Sequence, residues 1–573
     1  MERVLFAPRE LPPLPPDVAQ DPVAYATWVR ARENVRRRTA PPAGTTTLAL
    51  VMPVDDARSE AIGRTLEALH AQTSGRWSLT AVADEGRLHD VSTALRAATP
   101  RRSRRRIRSV AAEPGATGAA DLLRAGLAAH QGDNVALVFP GDVWAPDAVA
   151  LLSAALTPTG VVYADEDRLA PDGSHAAPRL KPGFSPEFLL SSSYIGRPLA
   201  IGAGLTGALA HLDASGLGAL EHACALSACE AAASVTHLAE VLCHRSTEEE
   251  PPAGDVVHVQ AALTRRNEGA SVALGPAPGT FRVGRTPDDG VVSILIPFRD
   301  EPRLLRTCVD SVTATTRGEQ VELVLIDNGS SDPETMTLVD RLEGRAGVRV
   351  LRDARPFNWA GLNNAGAGVA GGDVLVFLNN DIEALRPGWL SALCAQAQRA
   401  DVGAVGARLL YPDRRLQHCG LVVGLTGAAG HPLSGLPEEA TGYLQMAVLA
   451  RECSAVTGAC LATRRDVFDR LGGFDETLGV DLNDVDFCLR AGAEGLRTLF
   501  EPAAELVHHE SPSRGTAGGV GDIVHFVDRW KDYITEGDRY FNPHLTRADP
   551  SCGLAGAEEE DAWKRWYSTL TME

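Results

Sequence analysis

The stretch Asp373–Leu390, DVLVFLNNDIEALRPGWL, decides the fold. Its apolar run from Val374 to Leu378 reads as a buried strand, and it leads directly into Asn379, Asn380 and Asp381. Asn and Asp can turn a chain by hydrogen-bonding their own backbone. A carboxylate and two amides at a strand end also suit a divalent cation beside a diphosphate. The flanking segments decide between these readings.

Upstream, VSILIPFRD is a strand, LLRTCVDSVTAT a helix, and VELVLIDNGSSD a strand ending in polar residues. Strands alternating with helices predict an α/β fold with a parallel sheet covered on its faces. The same order occurs earlier: TLALVMPV is a strand, SEAIGRTLEALHAQ a helix and SLTAVADEG a strand. LALVMPVDD aligns with SILIPFRDE, and AEVLCHRS with AELVHHES. The chain is therefore read as a tandem duplication whose period is far too long for a solenoid. Ahead of it, ELPPLPPD predicts an extended arm, and DPVAYATWVRAREN a helix with Asp21 as cap and Pro22 at its first position.

A length of 573 residues allows two large units or about three to four ordinary ones. The net charge of −19 argues against nucleic acid as a general partner. Two basic runs depart from that balance: RRSRRRIR, Arg101 to Arg108, and NVRRR, Asn34 to Arg38. They read as solvated faces or as attraction to anionic lipid headgroups. None of the ten cysteines forms C-x-x-C, and Cys224 and Cys229 lack a second pair to complete a zinc site. Reduced thiols in a cytoplasmic protein are expected. MERVLFAPRELPPLPP lacks the apolar core of a signal peptide, and no run of about 18 apolar residues predicts a membrane span.

Open parallel sheets bind ligands beyond the carboxyl ends of their strands. The first strand of the second copy leads into PFRDEPRLL without a glycine, so it is no dinucleotide fingerprint, and no G-x-x-x-x-G-K-[ST] occurs. CGLVVGLTGAAG lies too late and has the wrong spacing. What remains is polar residues at successive strand ends: Asp327 and Asn328, then Asn379, Asn380 and Asp381. Without a glycine cradle, a diphosphate needs Mg²⁺ or Mn²⁺ to neutralise it.

Six blocks carry a family resemblance: VSILIPFRD, LVLIDNGSSD, FNWAGLNNAGAGVAGGDVLVFLNND, AVTGACLATRRDVFDRLGGFDE, NDVDFCLRA and AELVHHESPSRG. In this order and spacing the chain resembles the family 2 glycosyltransferases of GT-A fold. It is most similar to tandem-domain members of bacterial O-antigen and surface-polysaccharide synthesis, rhamnosyltransferases among them; the tail GDRYFNPHLTRADP is similar too. The resemblance implies an α/β chain of two tandem GT-A-like domains with mostly parallel sheets, an N-terminal arm and a C-terminal helical extension. Its expected divisions are 1–45, arm and helix; 46–245, degenerate domain; 246–290, linker; 291–515, catalytic domain; and 516–573, extension.

The resemblance also implies roles. Pro297 begins the loop beside the nucleobase, Asp327 and Asn328 meet the base or ribose, and Asn364 lies on a helix facing the nucleotide. Asn379 and Asn380 lie near the ribose or diphosphate. Asp381 binds Mn²⁺ or Mg²⁺, His508 or His509 completes that metal site, and Asp484 is the catalytic base of an inverting transfer. The donor is a UDP- or dTDP-sugar; the acceptor is a glycan on a polyprenyl diphosphate, reached by peripheral contact with the inner leaflet. Asn379 replaces the first Asp of the common D-x-D, leaving one carboxylate for the metal, and Asp300 stands where many members have Asn. Asp484 could alternatively cap its helix. Asp486 is read as structural and Trp389 as core, while Arg464 and Arg465 are phosphate contacts or a solvated face.

In the first copy, VALVFPGDVWAPDAV puts Phe139 on Phe377 and Val143 on Asp381; a one-residue slip makes Asp142 the substitute. Glu221 faces Asp484, Cys243 faces His508 and His244 faces His509. Several roles fail together, which predicts an inactive first domain that braces its partner, binds glycan or mediates a homodimer. The rival readings are two active sites or a non-catalytic glycan-binding scaffold. A sugar nucleotidyltransferase would need a Gly-rich, lysine-bearing loop that PFRDEP does not supply.

Overall fold

The computed structural model describes residues 22–39, 46–55, 59–115, 118–130, 133–214, 216–246, 255–509, 520–556 and 559. The extended arm, Asp21, the acidic loop 247–254 and the residues around the expected boundary at 515 lie outside them. Two compact units meet in sequence between Val283 and Gly284.

The N-terminal unit contains β1 (Leu48–Pro53), β2 (Trp77–Ala83), β3 (Ile107–Ala111), β4 (Asn134–Leu137), β5 (Val143–Trp144), β6 (Gly160–Leu169), β7 (His175–Arg179), β8 (Leu199–Ile201) and β9 (Ser234–Ser246). Their order is β3-β2-β1-β4-β8-β6-β9-β5, with β7 paired to β6. β3, β2, β1 and β4 run parallel, and β8 joins them antiparallel. The helix Pro22–Thr39 belongs to this unit. It is held by the Tyr25 hydroxyl on Asp167 Oδ2 at 2.9 Å and by Arg36 Nε on Asp147 Oδ2 at 2.8 Å. Arg36 is thus a buried ion-pair partner rather than part of an exposed basic run. Arg101–Arg106 instead forms a mostly exposed 3₁₀ turn. Residues 256–283 add a helix, Val256–Arg265, whose Asp255 cap accepts from Val257 N–H, and the hairpin β10 (Ser271–Leu274) and β11 (Phe281–Gly284).

The C-terminal unit contains β12 (Val292–Phe298), β13 (Val321–Asp327), β14 (Val348–Arg352), β15 (Val374–Leu378), β16 (Ile382–Ala384), β17 (Val402–Leu410), β18 (Leu416–His418), β19 (Val422–Val423), β20 (Ala429–Gly430), β21 (Arg451–Glu452), β22 (Cys460–Arg464) and β23 (Arg497–His508). Its main sheet runs β14-β13-β12-β15-β22-β17-β23-β16. This is the order of the N-terminal sheet, strand for strand, so the duplication read from the sequence is present in both topologies.

The parallel quartet β14, β13, β12 and β15 is connected by the helices Pro302–Thr315, Pro333–Glu343 and Trp359–Val369. The sequence starts these helices with standard signals. Pro302 and Pro333 occupy first-turn positions, and the side chains of Asp332 and Asn358 accept from Thr335 N–H and Gly361 N–H. Their apolar faces, including Leu305, Val309 and Val339, bury against Ile294, Ile296 and Leu325. Each such side chain stabilises the fold by about 1.5–3 kcal/mol. The strand order reverses between β12 and β15, and a crevice opens beyond carboxyl ends at such a switch point. The DNGSSD and LNND segments therefore lie where a ligand would. The helix Val520–Glu536 packs on this unit through Phe526, Val527 and Ile534. All ten cysteines are buried free thiols, and no described helix is long and apolar enough to cross a membrane.

Candidate functional site

Pro297 lies in β12 opposite Ile326, and Phe298 lies opposite Asp327, so two of the expected nucleotide residues, Pro297 and Asp327, sit at the same end of neighbouring strands. Asp327 is buried and accepts Ser330 N–H at 2.8 Å. Asn328 spends its amide nitrogen on the carbonyls of Asp353 and Arg355, at 2.9 and 2.8 Å, while its Oδ1 has no hydrogen-bond partner among the described residues. Asp300, at φ 53°, occupies the left-handed region. Its Oδ1 offsets that strain by accepting from Ser331 N–H and Asp332 N–H at 2.7 and 2.9 Å. The loop after β12 is thereby tied to the loop after β13.

At the end of β15, Asn379 is buried and its Oδ1 accepts the Trp359 indole N–H at 3.2 Å. Asn380 is half-buried in the turn that follows. Asp381 is buried in the turn before β16, and its Oδ1 lies 3.1 Å from His508 Nε2 at the end of β23. His508 Nδ1 meets Gln417 Oε1 at 2.8 Å. A carbonyl oxygen only accepts, so Nδ1 donates to Gln417 and Nε2 is the nitrogen turned toward Asp381. Two ligand atoms bound to one small divalent cation stand about 3 Å apart, given bonds of about 2.0–2.2 Å. Asp381 and His508 therefore fit a shared cation, with Gln417 orienting the imidazole. His509 is turned instead to Glu383 Oε2, at 2.9 Å, on a more exposed surface. This separates two histidines that the sequence leaves equivalent. Behind them, His418 and His431 meet through their Nδ1 atoms at 2.9 Å. Burial, then the neighbouring imidazoles, holds His418 well below the ordinary histidine range and brings His431 down to about 4.

Asp484 stands in the first turn of the helix Asn483–Ala493, whose preceding residue, Leu482, has φ 64°. Its Oδ2 accepts Gly458 N–H at 2.6 Å and its Oδ1 accepts Val485 N–H at 2.8 Å. The carboxylate is half-buried, and the amides favour its ionised form. Gly458 is required by space: a Cβ there would lie 2.8 Å from Trp359 Cη2 and 3.4 Å from Asp484 Cβ. One indole thus touches Asn379 on one side and the glycine that holds Asp484 on the other. Asp381, two residues beyond Asn379, and Asp484 belong to one continuous neighbourhood.

Two of the expected residues make bonds within the chain. Asn364 Nδ2 donates to Phe474 O and its Oδ1 accepts Phe474 N–H, both at 2.9 Å. It fixes the loop before Asp484. Arg465 is neither a phosphate contact nor a solvated residue. Its guanidinium donates to the carbonyls of Ala367, Ala370 and Gly372, closing the end of the Trp359 helix. Arg464 pairs with Asp466. Asp486 is fully buried and structural, receiving Arg490, Arg529 and Trp530. Trp389 is core, its indole N–H bonded to Thr315.

The N-terminal unit departs from the alignment read in sequence. Val143 pairs with His244 as Ile382 pairs with His508. The counterpart of Asp381 is therefore Asp142, not Val143, and the counterpart of His508 is His244, not Cys243. Both residue types persist but are used differently. Arg197 donates to Asp142 Oδ1 at 2.8 Å and to Glu221 Oε2 at 2.7 Å. All three are buried. A guanidinium spans the carboxylates that correspond to Asp381 and Asp484. Arg197 lies 55 residues beyond Asp142 and within none of the quoted blocks, so no sequence motif announced it. Gln417 was missed likewise; a polar residue two positions before Cys419 carries no signal until β17 and β18 pair.

Residues 293–472 match the family described as "Glycosyl transferase family 2". Among curated proteins, the chain is 36% identical over 591 residues to the O-antigen biosynthesis protein RfbC of Myxococcus xanthus, covering 97% of this chain and 45% of that protein. It is 29% identical over 242 residues to an N-acetylglucosaminyl-diphospho-decaprenol L-rhamnosyltransferase of Mycobacterium tuberculosis, covering 39% of this chain and 76% of that one. A solved mannosyltransferase of Pyrobaculum calidifontis, in complex with GDP-Man and Mn²⁺, matches with TM-score 0.33 and 18% identity over 56% of this chain and 88% of its own. The chain spans about half the length of the longest-matching curated relatives, 45% of one and 57% of another. The residues that match this family contain most of β12, all of β13 to β15, Asp381, Gly458 and β22.

Proposed function

We propose that the chain is a metal-dependent, inverting glycosyltransferase. It moves a hexose or deoxyhexose from a UDP- or dTDP-sugar to a glycan on a polyprenyl diphosphate during bacterial surface-polysaccharide synthesis. The observation that carries this reading is the pairing of two separate functions in one neighbourhood: a cation-ready pair, Asp381 and His508, and an amide-held carboxylate, Asp484, linked through Trp359 and Gly458. The O-antigen and rhamnosyltransferase relatives support the substrate class.

Asp381 and His508 would hold Mn²⁺ or Mg²⁺, which when bound supplies positive charge to the leaving diphosphate. Pro297, Asp327 and the Asp300-tied loop bound the side where the base and ribose would lie. Asn379, fixed by Trp359, orients the turn next to the metal pair. Asp484 accepts the proton of the attacking acceptor hydroxyl, and the amides of Gly458 and Val485 keep it ionised beforehand. In-line attack needs these groups on different segments, and they lie on β15 and on the helix Asn483–Ala493.

The N-terminal unit is inactive in this reading, because Arg197 occupies the space between Asp142 and Glu221. Among the described residues, Arg101, Arg102, Arg104 and Arg105 have no acidic partner, and they offer a peripheral contact for the inner face of the plasma membrane. The test is release of nucleoside diphosphate from UDP- and dTDP-sugars with and without Mn²⁺, in wild type and Asp484→Asn. The expected result is metal-dependent turnover that falls by about 10²–10⁴-fold in the variant while donor binding persists. Undiminished turnover in Asp484→Asn refutes the base.

A further inference from the structure

We propose that the N-terminal unit holds a metal centre of its own, formed by Asp167, His175 and His244, which takes Zn²⁺. Three neighbouring strands build it. Asp167 in β6 pairs with His244 in β9, and the hairpin from β6 to β7 brings His175 back across from Leu169. Asp167 Oδ1 lies 2.6 Å from His244 Nδ1, and Oδ2 lies 2.9 Å from His175 Nδ1. One ligand atom from each residue falls within a sphere of mutual distances no greater than 4.8 Å. The two imidazoles stand edge to face, centroids 4.7 Å apart.

Two imidazole nitrogens and a carboxylate are a ligand set suited to Zn²⁺, and a small contraction brings them to bonding distance of one ion. Asp167 is fully enclosed and His244 nearly so, whereas the His175 side chain is 15% exposed and leaves a path from solvent. The surroundings suit the bound form. With Nδ1 on the metal each ring carries its proton on Nε2, and Glu33 Oε1 stands 3.9 Å from His244 Nε2. The Tyr25 hydroxyl, 2.9 Å from Asp167 Oδ2, is a further oxygen at the cluster. Both come from the helix Pro22–Thr39, so the ion would fasten that helix, the β6–β7 hairpin and β9 together.

This site differs from its counterpart in the C-terminal unit. There the strand histidine faces the carboxylate after the fourth parallel strand. Here that carboxylate, Asp142, is held by Arg197, and the histidine turns to a different carboxylate on the adjacent strand. The inference does not require the C-terminal unit to be a transferase.

The experiment uses the full chain, stripped with chelator and titrated with Zn²⁺ calorimetrically, with Co²⁺ as an optical probe of ligand geometry. Wild type, His175→Gln and Asp381→Asn are compared. The expected result is one zinc equivalent that survives in Asp381→Asn and binds at least tenfold more weakly in His175→Gln, along with loss of the low-symmetry Co²⁺ spectrum and of the zinc-induced rise in Tm. His244→Asn, checked for folding by circular dichroism, should repeat the effect. Equal zinc affinity in wild type and both histidine variants, or no zinc bound by Asp381→Asn, overturns the proposal. Donor hydrolysis measured on the same samples tests the transferase reading separately, since His175 has no part in that reaction.

Discussion

Replacing Gly458 with alanine tests the contact that joins the two halves of the site. The backbone at this position needs no left-handed φ, so the perturbation is one methyl group in a filled space. That methyl would stand 2.8 and 2.9 Å from two carbons of the Trp359 ring, distances real Cβ atoms do not show, and 3.4 Å from Asp484 Cβ. The indole is 6% exposed and packed against Phe377 and Phe474, so it has little room to retreat. Overpacking of this kind costs about 1–3 kcal/mol. If the ring moves, its 3.2 Å hydrogen bond to Asn379 is lost as well, for about 1 kcal/mol more. The sum, about 2–4 kcal/mol, corresponds to a fall in Tm on the order of 10 °C for a unit of this size. Movement of about 1 Å in the indole displaces both the turn before Asp381 and the amide that holds Asp484, which lowers turnover by about 10²-fold. Scanning fluorimetry and release of nucleoside diphosphate read the two effects. Adding Trp359→Leu to Gly458→Ala should recover most of the stability, because the clash disappears. Activity should stay low, because Asn379 still lacks its donor. Wild-type Tm and turnover in the single variant would refute the steric argument and the linkage built on it.

His508→Ala should weaken Mn²⁺ affinity by about 10–100-fold or more, read by the metal dependence of donor hydrolysis, whereas His509→Ala should leave it near wild type; the reverse order would reassign the ligand. Arg197→Met removes the cation shared by two buried carboxylates and should destabilise the N-terminal unit by about 3–5 kcal/mol without lowering donor hydrolysis by the other unit. An unchanged unfolding transition would show that the bridge does not compensate those charges.

The α/β class, the duplication and the strand-end carboxylates were legible because each rests on local pattern: apolar runs of strand length, first-turn prolines, and polar residues where a buried strand stops. What the sequence could not show depends on partners distant along the chain. Asn364 and Arg465 have the composition of ligand-binding residues, yet their polar atoms are consumed by Phe474 and by the end of a helix. The choice between His508 and His509 depends on the turn before β16: Asp381 lies outside that strand, and only the folded turn shows its carboxylate at His508 while His509 meets Glu383. In the first copy a one-residue slip of register exchanges Cys243 for His244, which only the pairing of Val143 with His244 reveals.

The two units solve one electrostatic problem in two ways. A carboxylate buried after the fourth parallel strand is costly unless a positive partner accompanies it. In the N-terminal unit Arg197 is that partner. It is always charged and covalently part of the chain, so it cannot leave to admit a metal ion or a diphosphate. In the C-terminal unit the corresponding carboxylate faces Nε2 of a histidine whose Nδ1 is held by Gln417. A fixed guanidinium and an exchangeable cation exclude each other at such a carboxylate. In the proposed reading, the identity of that partner, rather than the loss of any single acidic residue, separates a unit that would bind and release a diphosphate from one that would persist as a scaffold.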